Sequence, residues 1–355
     1  MPATITEIAR IARVNRSTVS RLVRGDSRLR ISDQRKRELL RIIEKQGGCA
    51  PHRTGQALAA QRSGVLLWPI NRNQQWIVWQ NAYVGQALMQ AAEQEVRQNA
   101  GRLAVLFFNQ EKRHEELPDL FRQPDFCDGM FFSTSVMDQR LAKIVRQLRY
   151  PHVVVLDPSV EGLGVHRVIA DQRTGITQAI EHLKQLGHRR IGFIGGETPM
   201  DRVELFRLCA REAGLTLQES DCLLQPLNPD VAGWDVTTRS LGQDAMSALL
   251  DRRACTAVFC GTDGFAFGAI DALKQRGLEP GRDRSVLGYD DLEHWGWRPF
   301  GEPMLTTVHN PLDQIGRRAA EVLLRQVDES WIEPETIRIP THLIVRSTTG
   351  PASSP

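Results

Sequence analysis

The amino-acid sequence predicts an α/β protein in three parts: an N-terminal three-helix helix-turn-helix head, a hinge, and two doubly wound parallel-sheet subdomains. Three observations predict it. The 355 residues suit two or three domains. Residues 1–62 carry fourteen Lys and Arg against five Asp and Glu, a local net of +9, whereas the remainder nets −6. From Ser63 onward, short apolar runs alternate with helical segments, the pattern of right-handed βαβ units and parallel sheets.

Composition narrows the class further. Apolar residues at 41% and charged residues at 25% are ordinary for a globular chain and exclude a disordered or collagen-like one. No apolar run approaches the roughly 18–20 residues that span a bilayer. The first ten residues are polar and mixed, so no secretory signal is expected. Six cysteines stand at 49, 127, 209, 222, 255 and 260, with no Cys-x-x-Cys pair. A reduced, cytoplasmic chain with no metal site and no cofactor is the expectation.

The head is expected over residues 1–48. Thr4 and Glu7 have capping-box spacing. Ile8, Ile11 and Ala12 then recur at helical spacing, giving a first helix to about residue 12. Asn15 is placed to N-cap a second helix, 16–23, with Val19, Leu22 and Val23 inward and Arg16, Ser17, Ser20 and Arg21 outward. Ile31-Ser32 reads as a staple residue and N-cap for a third helix to about residue 46, burying Leu39, Leu40, Ile42 and Ile43 and ended by Gly47-Gly48. In a helix-turn-helix the second helix enters the major groove. A basic head on an acidic body is also a nucleic-acid signal, because neutralising phosphates releases counterions. A solvated basic unit, or a three-helix unit that binds protein, is the competing reading.

The order of residues favours DNA. Residues 4–24, and above all Thr18-Val19-Ser20-Arg21-Leu22-Val23, resemble the DNA-binding head of the LacI family of bacterial transcription regulators. The resemblance implies DNA contacts at Thr4, Arg16, Ser17, Thr18, Ser20 and Arg21. Arg16 and Ser17 match the base-reading positions, and an arginine there suits bidentate bonding to guanine. Thr18 and Ser20 match phosphate contacts, which position the head without specifying sequence. The hinge is expected at 49–62, with His52, Arg53 and Leu58 at the DNA. Leu58 matches a leucine that wedges into the minor groove, or else is a buried linker residue. Gly47-Gly48 and Gly55 depart from the family pattern.

The body is expected at 63–346, with strands at 64–68, 103–108, 129–132, 152–156, 190–195, 256–260 and 285–288. Helices are expected near 84–99, 138–149, 174–186, 204–213, 243–250, 265–276 and 311–327. No nucleotide-binding, P-loop or hydrolase motif follows a strand. Four ordered stretches again resemble the LacI family: Glu181-His182-Leu183 with residues 186–196, then 256–263, 285–291 and 305–311. They imply a periplasmic-binding-protein-like (type I) fold, with subdomain N at about 63–160 and 308–330 and subdomain C at about 161–307 and 331–346. The chain is then expected to cross between subdomains near 160, 308 and 330, with a disordered tail at 347–355.

Open parallel sheets bind ligands beyond the carboxyl ends of their strands. The candidates there are Asp157, Thr262, Asp290 and Asn310, joined by Arg202 at a helix start. Arginine with carboxylates suits a hydroxyl-rich ligand. Asp263 is more simply a helix N-cap, and Asp157 could cap a turn. Trp76 and Trp79 line either the cleft or the core. The sequence thus reads as a sequence-specific DNA-binding regulator, a repressor and homodimer on a palindromic operator, controlled by a sugar-like effector, with no membrane role. The rivals are an enzyme or a solute-binding protein on the same scaffold with an accessory DNA-binding head.

Overall fold

The computed structural model describes residues 3–15, 18–19, 22, 31–45, 49–50, 63–71, 82–121, 126–133, 136–156, 160–196, 202–215, 217–226, 234–252, 255–329 and 332–352. They divide into a small N-terminal unit and a large unit starting at Val65.

In the small unit, α1 (Ile5–Ala12) and α2 (Asp33–Lys45) enclose a core of Ile8, Ala9, Ala12 and Leu39 with Val19 and Leu22. Residues 18, 19 and 22 are helical. Ser32 caps α2 as expected, its hydroxyl accepting from the Arg35 amide at 3.2 Å. The Arg35 guanidinium donates to the Ala12 carbonyl at 2.7 Å and so closes the end of α1. One expectation is corrected: Leu40 is 46% exposed. The inward face of α2 is set by Leu39, Ile42 and Ile43, and Leu40 lies about 100° around the helix from Leu39. A parallel pair, β1 (Ala3–Thr4) with β2 (Cys49–Ala50), was not anticipated. Arg16, Ser17, Ser20, Arg21, Val23 and the hinge residues His52, Arg53 and Leu58 lie outside the described residues, as do the side chains of Thr4 and Glu7.

The large unit holds two six-stranded sheets. The first contains β3 (Val65–Asn71), β4 (Arg102–Phe108), β5 (Gly129–Phe132), β6 (His152–Val155), β7 (Arg167–Asp171) and β13 (Thr336–Pro340), in the order β13-β7-β6-β5-β3-β4, all parallel. The second contains β8 (Ile191–Gly196), β9 (Cys222–Gln225), β10 (Ala257–Cys260), β11 (Ser285–Asp290), β12 (Thr306–His309) and β14 (His342–Ile344), in the order β14-β12-β11-β10-β8-β9. Only β14 runs antiparallel there, pairing His309 with His342, Val308 with Leu343 and Thr307 with Ile344. Two apolar clusters flank each sheet. On the first, α3 (Ala82–Gln98) buries Leu88, Ala92 and Val96 at a helical repeat of four against α10 (Leu312–Glu329), whose Gly316 lets the Leu88 carbonyl approach.

The two-subdomain plan stands, but its boundaries move. Strand β7 belongs to the first sheet, and the chain crosses after Asp171 into α6 (Gln172–Gln185), not near 160. It crosses back at 309–312, as expected. The third crossing, at 340–342, comes about ten residues later than expected, because β13 also belongs to the first sheet. The crossings meet at one point. The Thr341 hydroxyl donates to the Asp171 carbonyl at 2.7 Å and accepts from the Gly175 amide at 2.9 Å. A methyl on Gly175 would collide with Val308 and Thr341. The expected disordered tail is also corrected through residue 352. Thr348 is fully buried and bonds Val286 from both its carbonyl and its hydroxyl, and the Ala352 amide donates to Leu186. Residues 353–355 lie outside the described set.

At the amino-terminal ends of the first sheet, His152 and His166 are both fully buried, their rings 5.5 Å apart. Each is anchored to a carbonyl, Tyr150 and Ile332 respectively. Burial, with the nearby His166 and Arg146 charges, pushes His152 down to about 4 against the lone Tyr150 bond, and burial pushes His166 down as well. Both are neutral in the fold but take up protons on unfolding. Their contribution is therefore fully present above about pH 6.5 and lost as pH falls toward 4. Urea unfolding is expected to show a loss on the order of 3 kcal/mol over that window, reduced in His152→Gln. Equal pH slopes for parent and variant would refute the assignment.

Candidate ligand-binding site

The second sheet places its polar residues at the carboxyl ends of its strands. Asp290 is the last residue of β11, and both it (φ +111°) and Asp291 (φ +57°) adopt a left-handed backbone. Two successive non-glycine residues in that region are strained, and such strain collects at functional positions. Arg202 stands at the N-cap of α7 (Val203–Glu212) with no side-chain cap bond. Its guanidinium is aimed inward. It donates to the Gly261 carbonyl at 2.6 Å and to Asp290 Oδ1 at 3.3 Å, and lies 3.6 Å from the centre of the Tyr289 ring. Asn310, in the second crossing, donates from Nδ2 to the same Asp290 oxygen at 3.2 Å.

Burial raises the Asp290 carboxyl, while Arg202 and Asn310 pull it back down. Asp290 is therefore a poorly solvated acceptor sharing two donors. Three further buried polar atoms have no partner among the described residues: Arg202 Nε, Thr262 Oγ1 and Asn310 Oδ1. Buried polar atoms are normally satisfied, so a set of orphans is a demand for a partner.

Of the residues expected at the cleft, the structure brings Arg202, Asp290 and Asn310 into contact. Thr262 adjoins them, one residue after the Gly261 carbonyl that Arg202 holds. Trp76, Trp79 and Asp157 lie outside the described residues. Asp263 proves not to be the N-cap. Thr262 is the N-cap of α9 (Asp263–Gln275), and the Asp263 carboxyl accepts from the Thr307 hydroxyl and the Leu292 amide, each at 2.6 Å. Its full burial pushes the carboxyl well up. Tyr289 and the Gly261 carbonyl were missed. A strand buried on both faces gives no alternation from which to single out Tyr289, and a carbonyl has no sequence signal.

Comparisons with known proteins agree with this geometry. Residues 180–349 match the periplasmic binding protein-like domain. The HTH-type transcriptional regulator CelR of Thermobifida fusca is 28% identical over 97% of both chains. The HTH-type transcriptional repressor PurR of Vibrio cholerae is 26% identical over 98% of both. Over nearly its whole length the chain is thus similar to HTH-type transcription regulators, the class its resemblance to the LacI family implies. Among solved structures, a CelR–cellobiose complex gives a TM-score of 0.65 at 23% identity, covering 97% of this regulator and 99% of that chain. The lac repressor dimer bound to operator and the anti-inducer ONPF gives 0.64 at 19% identity, covering 99% and 100%. The fold is shared with both. These relatives are regulators, and the enzyme and solute-binding readings fall away.

The regulator's site depends on a glycine behind it. A methyl on Gly288 would strike Asp263 Oδ1 and come within 2.9 Å of Leu305. Gly288→Ala is expected to cost about 1–3 kcal/mol by overpacking, read as a lower urea midpoint at unchanged slope. A variant as stable as the parent would show that Asp263 moves freely, contrary to its two short bonds.

Proposed function

We propose that this regulator is a homodimeric repressor whose effector is a neutral, hydroxyl-rich molecule, a sugar or sugar derivative, held by Arg202, Thr262, Asp290 and Asn310. The observation that carries the reading is the orphan set around Asp290. Arg202 Nε offers a donor, Asn310 Oδ1 an acceptor and Thr262 either, the mixture that hydroxyl groups satisfy. Arg202 is already opposed by Asp290, and Asp291 follows it, so an anionic ligand gains no surplus positive charge. The CelR relative, crystallised with cellobiose, supports the same class. Trp76, Trp79 and Asp157 remain proposed contacts from the first subdomain.

The reading extends to partners. Strand β4 is an outer strand of its sheet, with Val105 44% and Phe107 48% exposed. An open apolar edge of this kind asks for a cover, and a second copy supplies it. Two heads would then read a palindromic operator, Arg16, Ser17 and Arg21 at base edges, Thr4, Thr18 and Ser20 at the backbone, and His52, Arg53 and Leu58 of the hinge in the minor groove.

A thermal-shift screen of cellobiose, ribose, sugar phosphates and purine bases tests the effector class. A neutral sugar is expected to stabilise the parent, by roughly 2.7 kcal/mol at about 100 times its Kd. Asp290→Ala is expected to lose that shift yet keep the parent's operator affinity without ligand. A shift produced by purines or phosphates alone would overturn the class.

The head is tested separately. Arg16→Ala is expected to weaken operator binding by about 1–3 kcal/mol and relax preference at one base pair per half-site. An unchanged motif in a binding-site selection would remove Arg16 from base reading.

A further inference from the structure

A second polar cluster lies beside the crossings and takes no part in the Asp290 site. His309 ends β12 and His342 begins β14, so each imidazole flanks a crossing segment. They are register partners with ring centres 4.9 Å apart, and His309 is in turn the register partner of Asp290. His294, on the loop after β11, brings a third imidazole to 5.2 Å from His309. Trp295 lies nearly parallel to the His309 ring at 5.8 Å, and Trp297 lies parallel to Tyr83 at 6.4 Å. Tyr83 belongs to α3 on the first sheet, yet packs against the apolar cluster of the second. The loop 291–297 thus runs from the ligand carboxylate, over the imidazoles, to a contact between the subdomains.

We propose that His294, His309 and His342 form a proton-sensitive latch that holds this loop, and with it the Tyr83–Trp297 contact, at neutral pH and releases both on acidification.

The charges around the cluster define how it responds. From β11, Asp291 accepts His309 Nδ1 at 2.9 Å and Arg346 at 2.8 Å. With Asp291 ionised, His309 Nδ1 is the donor. Asp290 is taken up by Arg202 and Asn310. From the loop, Glu293 accepts the Met304 and Leu305 amides, lies 3.7 Å from Arg346, and holds Arg298 through its carbonyl. From α9, Asp263 reaches β12 through Thr307. From α6, the uncharged Gln178 accepts the Leu343 amide. Arg346 is therefore set against Asp291 and Glu293, leaving room for one added positive charge. A second proton places two cations on rings about 5 Å apart, with no further carboxylate to separate them. Partial desolvation at the sheet surface and the His309 charge both hold His342 down, against a smaller pull from Asp291. His294 and His342 are exposed and free to swing away, whereas His309 is held by Asp291. When His294 leaves, the adjoining Trp295 and Trp297 lose their seat. Among the described residues no three His, Cys, Asp or Glu side chains are grouped to hold a metal.

The test needs no effector and no DNA. The full chain is labelled with 5-fluorotryptophan, Trp295 and Trp297 are assigned by single substitutions, and their fluorine resonances are followed from pH 8 to 5. Both resonances are expected to move across that range. Trp297 is expected to become flat in the double variant His294→Gln/His342→Gln, which alters only exposed side chains. His309→Gln, with circular dichroism as a folding check, is expected to remove the Trp295 shift as well. A Trp297 resonance that does not move with pH, or that moves equally in the double variant, would overturn the latch.

Discussion

The crossings between the two sheets are fastened at one hydroxyl. Thr341 bonds the Asp171 carbonyl and the Gly175 amide, and the third crossing is thereby fastened to the first. Gly175 lets Val308, at the start of the second crossing, come in against them. Three chain passages at one buried point leave the subdomains little freedom except rotation about that point. A buried, closely packed junction has a few discrete arrangements rather than a continuum. A ligand moves such a junction only as far as it prefers one arrangement over another, and the same free energy links it to anything else the arrangement controls.

The four acids at 263, 290, 291 and 293 show how local surroundings divide one residue type among several tasks. Asp263 is fully buried, pushed well up, and braces Thr307 and Leu292. Asp291 is held low by His309 and Arg346 despite its burial. Glu293 caps the Met304 and Leu305 amides. Asp290 alone faces a guanidinium and an amide that keep spare, unpartnered atoms. The carboxylate proposed to hold the ligand is thus one residue from a carboxylate that braces the crossing region. That adjacency is a short physical route from occupancy to subdomain orientation.

The strands of the sheet centres were legible because parallel strands buried on both faces read as apolar runs, as in β6 and β10. The strands that were missed lie toward the sheet edges. Strand β7 opens on Arg167, β13 alternates exposed and half-buried residues, and β14 has three residues. The first and third crossings were misplaced for the same reason, since β7 and β13 decide where the chain changes sheet. Helix α4 (Arg113–Phe121) was hidden by Pro118 in its interior. At the site, Arg202, Asp290 and Asn310 were legible from strand and helix ends together with the family resemblance. The Asp263 role was not, because its partners, Thr307 and the Leu292 amide, are 44 and 29 residues away.

Pulsed electron–electron distance measurement between spin labels at Leu148 and Leu208, both exposed and on different subdomains, tests the central claim most directly. It is made on the full chain, with and without the sugar that stabilises the protein. Occupancy of the Asp290 site is expected to shift the distance distribution in the parent and to leave it unchanged in Asp290→Ala. A calorimetrically confirmed sugar complex with the same distances as the free protein would contradict the claim that the ligand acts by turning one subdomain against the other.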